Sequence, residues 1–269
     1  MLVQNIEVRE HGKRGPDVVV LHGGPGAQGS VASLVASLAP WAHVREPLMR
    51  RAGTYPLTME QHTNDLHRVA PAKATYIGHS WGAMLALSFA SLYPDSVSSV
   101  ILVGCGAYDE ASRETHARRV REALGPKGVA RVSDLERRLA GSDDAEWSDS
   151  LLGQIGDVIE RAQSVEPIGI TMADTNPDAA GNRETWADVV RLQKEGIEPA
   201  RFSSIVCPVL MLHGEQDPHP GIMIRDVLQP HIPQLAYIGI HDCGHVPWYE
   251  LHGREPFYRA LRQWIGELG

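Results

Sequence analysis

Ser80, Asp217 and His245 are the residues of this chain whose types and surroundings could build a covalent catalyst. A serine hydroxyl is a weak nucleophile at neutral pH, so an imidazole must take its proton and a carboxylate must orient that imidazole. Ser80 stands in Gly78-His79-Ser80-Trp81-Gly82. This G-x-S-x-G pattern places the serine on a strained strand-to-helix turn, with glycines where strand and helix approach closely. The competing reading is a glycine-rich turn with an incidental serine. Context favours the first: the apolar run Ala74-Thr75-Tyr76-Ile77 enters the motif, and a small-residue helix from Ser80 to Tyr93 leaves it and stops at Pro94.

The acid and the base come later. Asp217 lies in His213-Gly214-Glu215-Gln216-Asp217-Pro218, just past the apolar run Val209 to Leu212. Glu215 is a rival acid, and a turn or N-cap role is the bland alternative for Asp217; the longer reach of its loop favours Asp217. His245 lies in Cys243-Gly244-His245-Val246-Pro247, beyond the last strand-like run. Of the 13 histidines, His22, His79, His213 and His241 also sit near strand ends, but His245 alone follows the final strand in a Gly-His turn. Acyl transfer also needs donors for an oxyanion. The Trp81 amide is one candidate and the Gly24 amide, in His22-Gly23-Gly24-Pro25-Gly26, the other. That glycine loop lacks the spacing and the lysine of a phosphate cradle. His241, Cys243 and His245 carry ligand-type side chains, but they fall in a loop and lack an H-E-x-x-H set, so neither a metal nor another cofactor is expected.

The elements that must position these groups read as an α/β pattern. Asp17 to Leu21, Ala74 to Ile77, Ser99 to Val103, Pro208 to Leu212 and Leu235 to Ile238 are short apolar runs alternating with helical stretches. Such runs predict a mostly parallel, doubly wound sheet buried on both faces. A closing helix carries Phe257, Leu261, Trp264, Ile265 and Leu268 on one face. Between about Gly106 and Ser203 helical patterns replace strand-like ones. Trp147, Leu151, Ile155, Val158, Ala162 and Val165 form one stripe, Ser133 with Glu136 reads as a capping box, and Pro167, Gly169, Pro177, Gly181 and Gly196 mark loops. The expected organisation is a core of residues 1–105 and 204–269 interrupted by a helical cap insertion, 106–203.

Composition bounds the partners. With 43% hydrophobic and 22% charged residues the chain is globular. A net charge of −8 repels phosphate backbones and anionic lipid, so nucleic acid is not an expected partner. No run approaches the roughly 18 apolar residues of a membrane span, and the N-terminus has no basic-then-apolar leader. Three widely spaced cysteines, Cys105, Cys207 and Cys243, suit a reducing compartment. The expectation is a soluble cytoplasmic protein without a membrane partner, and nothing in the sequence speaks to its oligomeric state.

The elbow, the glycine loop, the acid and the histidine together resemble the α/β-hydrolase superfamily along nearly the whole chain outside the cap. Within it, His-Gly-Gly-Pro-Gly at 22–26 with Ser80-Trp81-Gly82 is similar to the proline iminopeptidase group, serine aminopeptidases that remove an N-terminal proline. The resemblance implies an α/β-hydrolase fold, a cap that governs access, no cofactor, and cleavage of an amide or ester bond in a small-molecule or short-peptide substrate through an acyl-enzyme. The chain departs from that group at three points. His43 to Leu48 stands where the group has Asp-Gln-Arg-Gly, His79 where it has glycine, and no paired Trp and Glu segment surrounds Trp147, although Glu166 or Glu184 could substitute. His79 is a residue common in general esterases. A carboxylesterase, lactonase or carbon–carbon bond hydrolase with the same triad is therefore the alternative, followed by a small-molecule receptor without chemistry.

Overall fold

The computed structural model describes residues 6–168 and 175–268. Gly169, read from the sequence as a loop marker, and the side chain of Leu268 lie outside the described residues. The strands are β1 (Val8–His11), β2 (Asp17–Leu21), β3 (Ala27–Gln28), β4 (His43–Pro47), β5 (Ala74–His79), β6 (Val97–Val103), β7 (Asn176–Pro177), β8 (Val209–Gly214) and β9 (Leu235–Ile240). The helices are α1 (Ala32–Leu38), α2 (Met59–Val69), α3 (Trp81–Leu92), α4 (Glu110–Ala140), α5 (Ala145–Gln163), α6 (Ala179–Lys194), α7 (Gly221–Leu228) and α8 (Arg254–Leu268).

Seven strands form one sheet in the order β1-β4-β2-β5-β6-β8-β9. Only β1, paired with β4, is antiparallel. Alternate residues of each strand feed different layers. Val19, Leu21, Tyr76, Val100, Leu102 and Met211 pack with α2 and α3, while Val18, Val20, Ile77, Ile101, Val103 and Leu212 pack with α1 and α8. Both faces are therefore apolar, which is why the strands read as unbroken hydrophobic runs instead of alternating ones. Helix α3 follows the same logic: every residue from Trp81 to Ala90 is buried, so no polar face survives in its sequence. In α8, Phe257, Leu261 and Ile265 are buried on the apolar face expected of it.

The chain runs from β2 outward to β4, then returns past β2 to β5 and continues the other way. The loops after β2 and β5 thus leave toward opposite layers and open a crevice between them, the position where parallel sheets bind ligands.

Between β6 and β8 the described chain is mainly helical. Helices α4 and α5 pack on each other around a small cluster of their own, Val132, Leu135, Leu151 and Ile155. Helix α6 behaves differently, because its Val189 and Leu192 join the layer containing Met59, Leu66 and Phe89. The capping-box reading at Ser133 and Glu136 is corrected here. Both residues lie inside α4, which starts at the Asp109 N-cap, and the break falls at Gly125 (φ 61°, ψ 177°) followed by Pro126. Proline's fixed φ and missing N–H restart a helix there without help from a hydroxyl cap. No described helix is long and apolar enough to cross a membrane.

Two glycines of the same chain lead to opposite expectations. A Cβ on Gly78 would lie against the Gly82 carbonyl and the Ala83 amide, all backbone, whereas one on Gly156 in α5 would meet nothing within 4 Å. Gly78→Ala is expected to lower folding stability by about 1–3 kcal/mol, and Gly156→Ala to raise it by about 0.5–1 kcal/mol. Urea unfolding of both variants measures this; equal effects would remove the close-packed account of the turn.

Candidate active site

Ser80 sits between the end of β5 and the start of α3 with φ 55° and ψ −117°, one of two described non-glycine residues at positive φ. Holding serine there costs of order 1–3 kcal/mol and is sustained by its surroundings. The Ser80 amide donates to the Val103 carbonyl at 2.8 Å, and Gly78 and Gly82 let the turn close on itself and on β2. The strain turns the hydroxyl-bearing residue out of the sheet into a cavity of about 360 Å³.

His245 reaches the same cavity from the loop after β9, and Asp217, on the loop after β8, lies buried behind its ring. The His245 ring donates through Nδ1 to Asp217 Oδ2 at 2.7 Å, with both side chains buried. These loops are knitted by backbone: the Glu215 amide donates to the Ile240 carbonyl at 2.9 Å, Gln216 to the Cys243 carbonyl at 3.0 Å, and the Cys243 amide to Gln216 Oε1 at 2.9 Å. Among the described contacts the Ser80 hydroxyl is not hydrogen-bonded to His245, although both line the cavity. The rival acid Glu215 is turned away: its carboxylate binds Nδ1 of His241 at 2.9 Å on the exposed surface. His241 therefore faces away from Asp217, and Cys243 is buried as a free thiol.

Asp217 plays two parts that the sequence presents as alternatives. Its Oδ1 accepts the His219 amide at 2.8 Å, closing a turn over Pro218, and also the His219 ring Nδ1 at 3.0 Å. This is the local Asx geometry that aspartate favours, and it leaves Oδ2 for His245. Burial alone would push the Asp217 carboxyl up, but the imidazoles of His245, His219 and His213 outweigh it and hold it well below the usual carboxylate range.

Gly24 lines the cavity on the loop after β2, and the Trp81 amide is the first of α3, with its indole buried beneath. Neither amide has a hydrogen-bond partner among the described residues, the state expected of donors that await an oxyanion. The glycine loop is held from outside, because β3 pairs with β7, the Asp178 amide donates to the Gly26 carbonyl at 2.9 Å, and Asn182 donates to the Pro25 carbonyl at 2.8 Å. Helix α5 is tied to the other side, the His245 amide donating to the Gln163 carbonyl at 2.9 Å.

Several wall residues escaped the sequence reading. Leu152, Ile155 and Ile159 of α5 give an apolar surface, with Asp157 and Glu160 beside them and His116 of α4 and His219 opposite. Burial pushes the Glu160 carboxyl up to about 7. No lysine or arginine is among the described lining residues. Glu166 and Glu184, the sequence candidates for an amine anchor, do not line the cavity. Glu166 pairs with His252 on the surface and Glu184 accepts the Leu57 amide. The i, i+3, i+4 pattern of α5 marks its buried face, but no sequence signal shows which half of that face looks into a cavity.

Asp217, His219 and His245 bring one donor atom each within 4.8 Å of one another, a compact set in size for a metal ion. The two rings are nearly parallel, 18° apart at 4.5 Å, so their in-plane lone pairs do not converge, and both Nδ1 atoms face the carboxylate. The geometry serves hydrogen bonding.

The described residues carry a family assignment. The α/β-hydrolase fold family matches residues 66–250, and the chain belongs to it. At the level of particular proteins, the chain is similar to the pimeloyl-[acyl-carrier protein] methyl ester esterases of Vibrio campbellii (25% identical over 93% of this chain and 94% of that one) and of Chromobacterium violaceum (26% identical over 93% and 94%). Among solved structures it is similar in fold to a thermophilic esterase from Thermogutta terrifontis (TM-score 0.62, 22% identity, 98% and 93% covered) and to the proline iminopeptidase of Mycobacterium smegmatis (TM-score 0.61, 19% identity, 97% and 94% covered).

Buried histidines give the protein an acid limit. Burial lowers His22 and His62 to about 4, and His79 and His116 to about 3. The unfolded chain binds protons below about 6.5 that the folded chain refuses. Their contribution is thus complete above that pH and lost as pH falls toward 4; that of Asp217, whose pKa is depressed, is lost only below about 3.9. Melting temperatures are expected to fall steadily between about pH 6.5 and 4, with a shallower fall in His62→Gln; a flat wild-type profile over that range would contradict the burial of these rings.

Proposed function

We propose that this chain is a serine hydrolase that cleaves carboxylic esters of small, uncharged acyl groups, with Ser80 as nucleophile, His245 as general base and Asp217 as the acid that orients it. The observation that carries the reading is the 2.7 Å bond to the buried Asp217 from the ring of His245, which lines one cavity with a serine held at positive φ. His245 takes the Ser80 proton as the oxygen attacks the acyl carbon. The Gly24 and Trp81 amides receive the oxyanion, and the protonated imidazole gives its proton to the departing alcohol. Water then releases the acyl group by the same steps in reverse. Helices α4 and α5, within the cap segment 106–203, form the lid over the acyl group. Similarity to methyl ester esterases and the apolar face of α5 support the ester preference.

A second reading, an aminopeptidase, draws on Asp157 and Glu160, carboxyls in the cavity wall that suit an acyl group bearing an amine. Short 4-nitrophenyl esters and proline- or alanine-linked chromogenic amides separate the two: ester turnover exceeding amide turnover is expected, and the reverse order would favour the peptidase.

Ser80→Ala is expected to abolish fluorophosphonate labelling and to lower ester turnover by about 10⁴-fold or more. Labelling that persists in this variant, or never occurs in the wild type, refutes the nucleophile. Without a cation in the described wall, methyl esters whose acyl chain ends in a free carboxylate should react more slowly than the corresponding diesters; a preference for the anionic ester would show that the charge argument is wrong.

A further inference from the structure

The triad leaves one well-anchored imidazole unused. His219 donates its backbone amide and its ring Nδ1 to Asp217 Oδ1 at 2.8 and 3.0 Å, while His245 takes Oδ2 at 2.7 Å, so one carboxylate carries two rings. The rings stack face to face, centroids 4.5 Å apart and 18° from parallel. His116 of α4 continues the stack on the far side of His219 at 3.8 Å and 25°. All three line the cavity.

We infer that His219 is a positioning residue of the hydrolytic site: it binds the second oxygen of Asp217, and its neutral ring face supports the imidazolium that His245 becomes. The inference rests on the proposed roles of Ser80 and His245. Two physical effects are combined. Each donor on Oδ1 draws charge from the carboxylate, which lessens what Oδ2 offers His245. The neutral ring lying over a developing cation favours it, as aromatic faces favour cations in a poorly solvated site. Because Asp217 is ionised, both rings carry their proton on Nδ1, which leaves Nε2 of each as an acceptor.

The other groups facing this pair do not supply the same effects. His79 of β5 donates through Nε2 to the His245 carbonyl at 3.2 Å, and its ring is tilted 48° from His245. His213 of β8 donates to the His219 carbonyl at 3.0 Å and lies 3.3 Å from Asp217 Oδ2. Glu160 of α5 acts on His245 only through space. Burial holds His79, His116, His213 and His219 below the usual histidine range, so these rings stay neutral where the base works.

Two substitutions separate the effects by sign. His219→Gln keeps an N–H for Oδ1 but removes the aromatic face, so the imidazolium of His245 is less favoured. The acidic limb of the kcat/KM profile for a 4-nitrophenyl ester should move to lower pH by about half a unit, with kcat down about 3- to 10-fold. His219→Phe keeps the face and removes the ring donor, so the same limb should move to higher pH. A residue that only fills space would leave both limbs where the wild type has them, and unmoved limbs in both variants overturn the inference. The wild type gives a test that needs no variant: histidine nitrogen NMR should show His219 neutral with the proton on Nδ1, and His219 protonated on Nε2 overturns the inference equally. Failure of the wild type to label at Ser80 would remove the hydrolase reading, whereas labelling with unmoved limbs would remove only the role of His219.

Discussion

The hydrogen bond between His245 and Asp217 is the interaction around which the rest of the molecule is arranged. A carboxylate with 1% of its surface exposed is tolerable only if its oxygens are fully engaged. Asp217 meets that demand with three donors, one His245 ring proton on one oxygen and two from His219 on the other. Removing water makes the bond strong, and the same dryness makes any misplacement costly. The loops after β8 and β9 are accordingly joined by backbone hydrogen bonds, with Gly214 admitting the Gly244 carbonyl where a side chain would collide.

The sheet provides the second constraint. Because the strand order reverses between β2 and β5, the glycine loop and the Ser80 turn leave from adjacent strands toward opposite layers. Their carboxyl ends open a crevice without distortion of the core, and the loops after β8 and β9 reach across to it. Rigidity comes from packing on both faces, so the strain at Ser80 is borne by a well-supported part of the structure.

The helices between β6 and β8 are attached to the site as well as placed over it. Helix α5 receives the His245 amide on its last carbonyl, Gln163, and the Glu250 carboxylate holds the amides of Val165 and Glu166 just beyond it. The turn before α6 holds the glycine loop through Gly26. A shift of these helices would therefore move His245 and the glycine loop together. Similar folds carry an esterase in one case and a peptidase in another, so the fold by itself does not select the substrate.

Local sequence determined a good deal. Residues Asp17–Leu21 form a strand as read; β5, β6, β8 and β9 match their apolar runs within a few residues, and α3 ends at Leu92, with Tyr93 as its C-cap before Pro94. These features follow from nearest neighbours: β-branched runs, glycines at close approaches, proline at a helix end. The loops bearing Ser80, Asp217 and His245 were legible for the same reason, since each follows a strand whose end is marked. Strand β4 was not, because His43, Arg45 and Glu46 interrupt its apolar character and only pairing with β1 and β2 makes it a strand. Nor was the α4 break, where Gly125 and Pro126 override the Ser133 signal. The sequence favoured Asp217 over Glu215 and the structure shows it bonded to His245, but tertiary structure alone decided that His219 shares the carboxylate and that Glu160 and His116 enter the cavity. Those outcomes depend on distances between segments far apart in the chain, set by sheet order and packing, and local sequence carries no term for them.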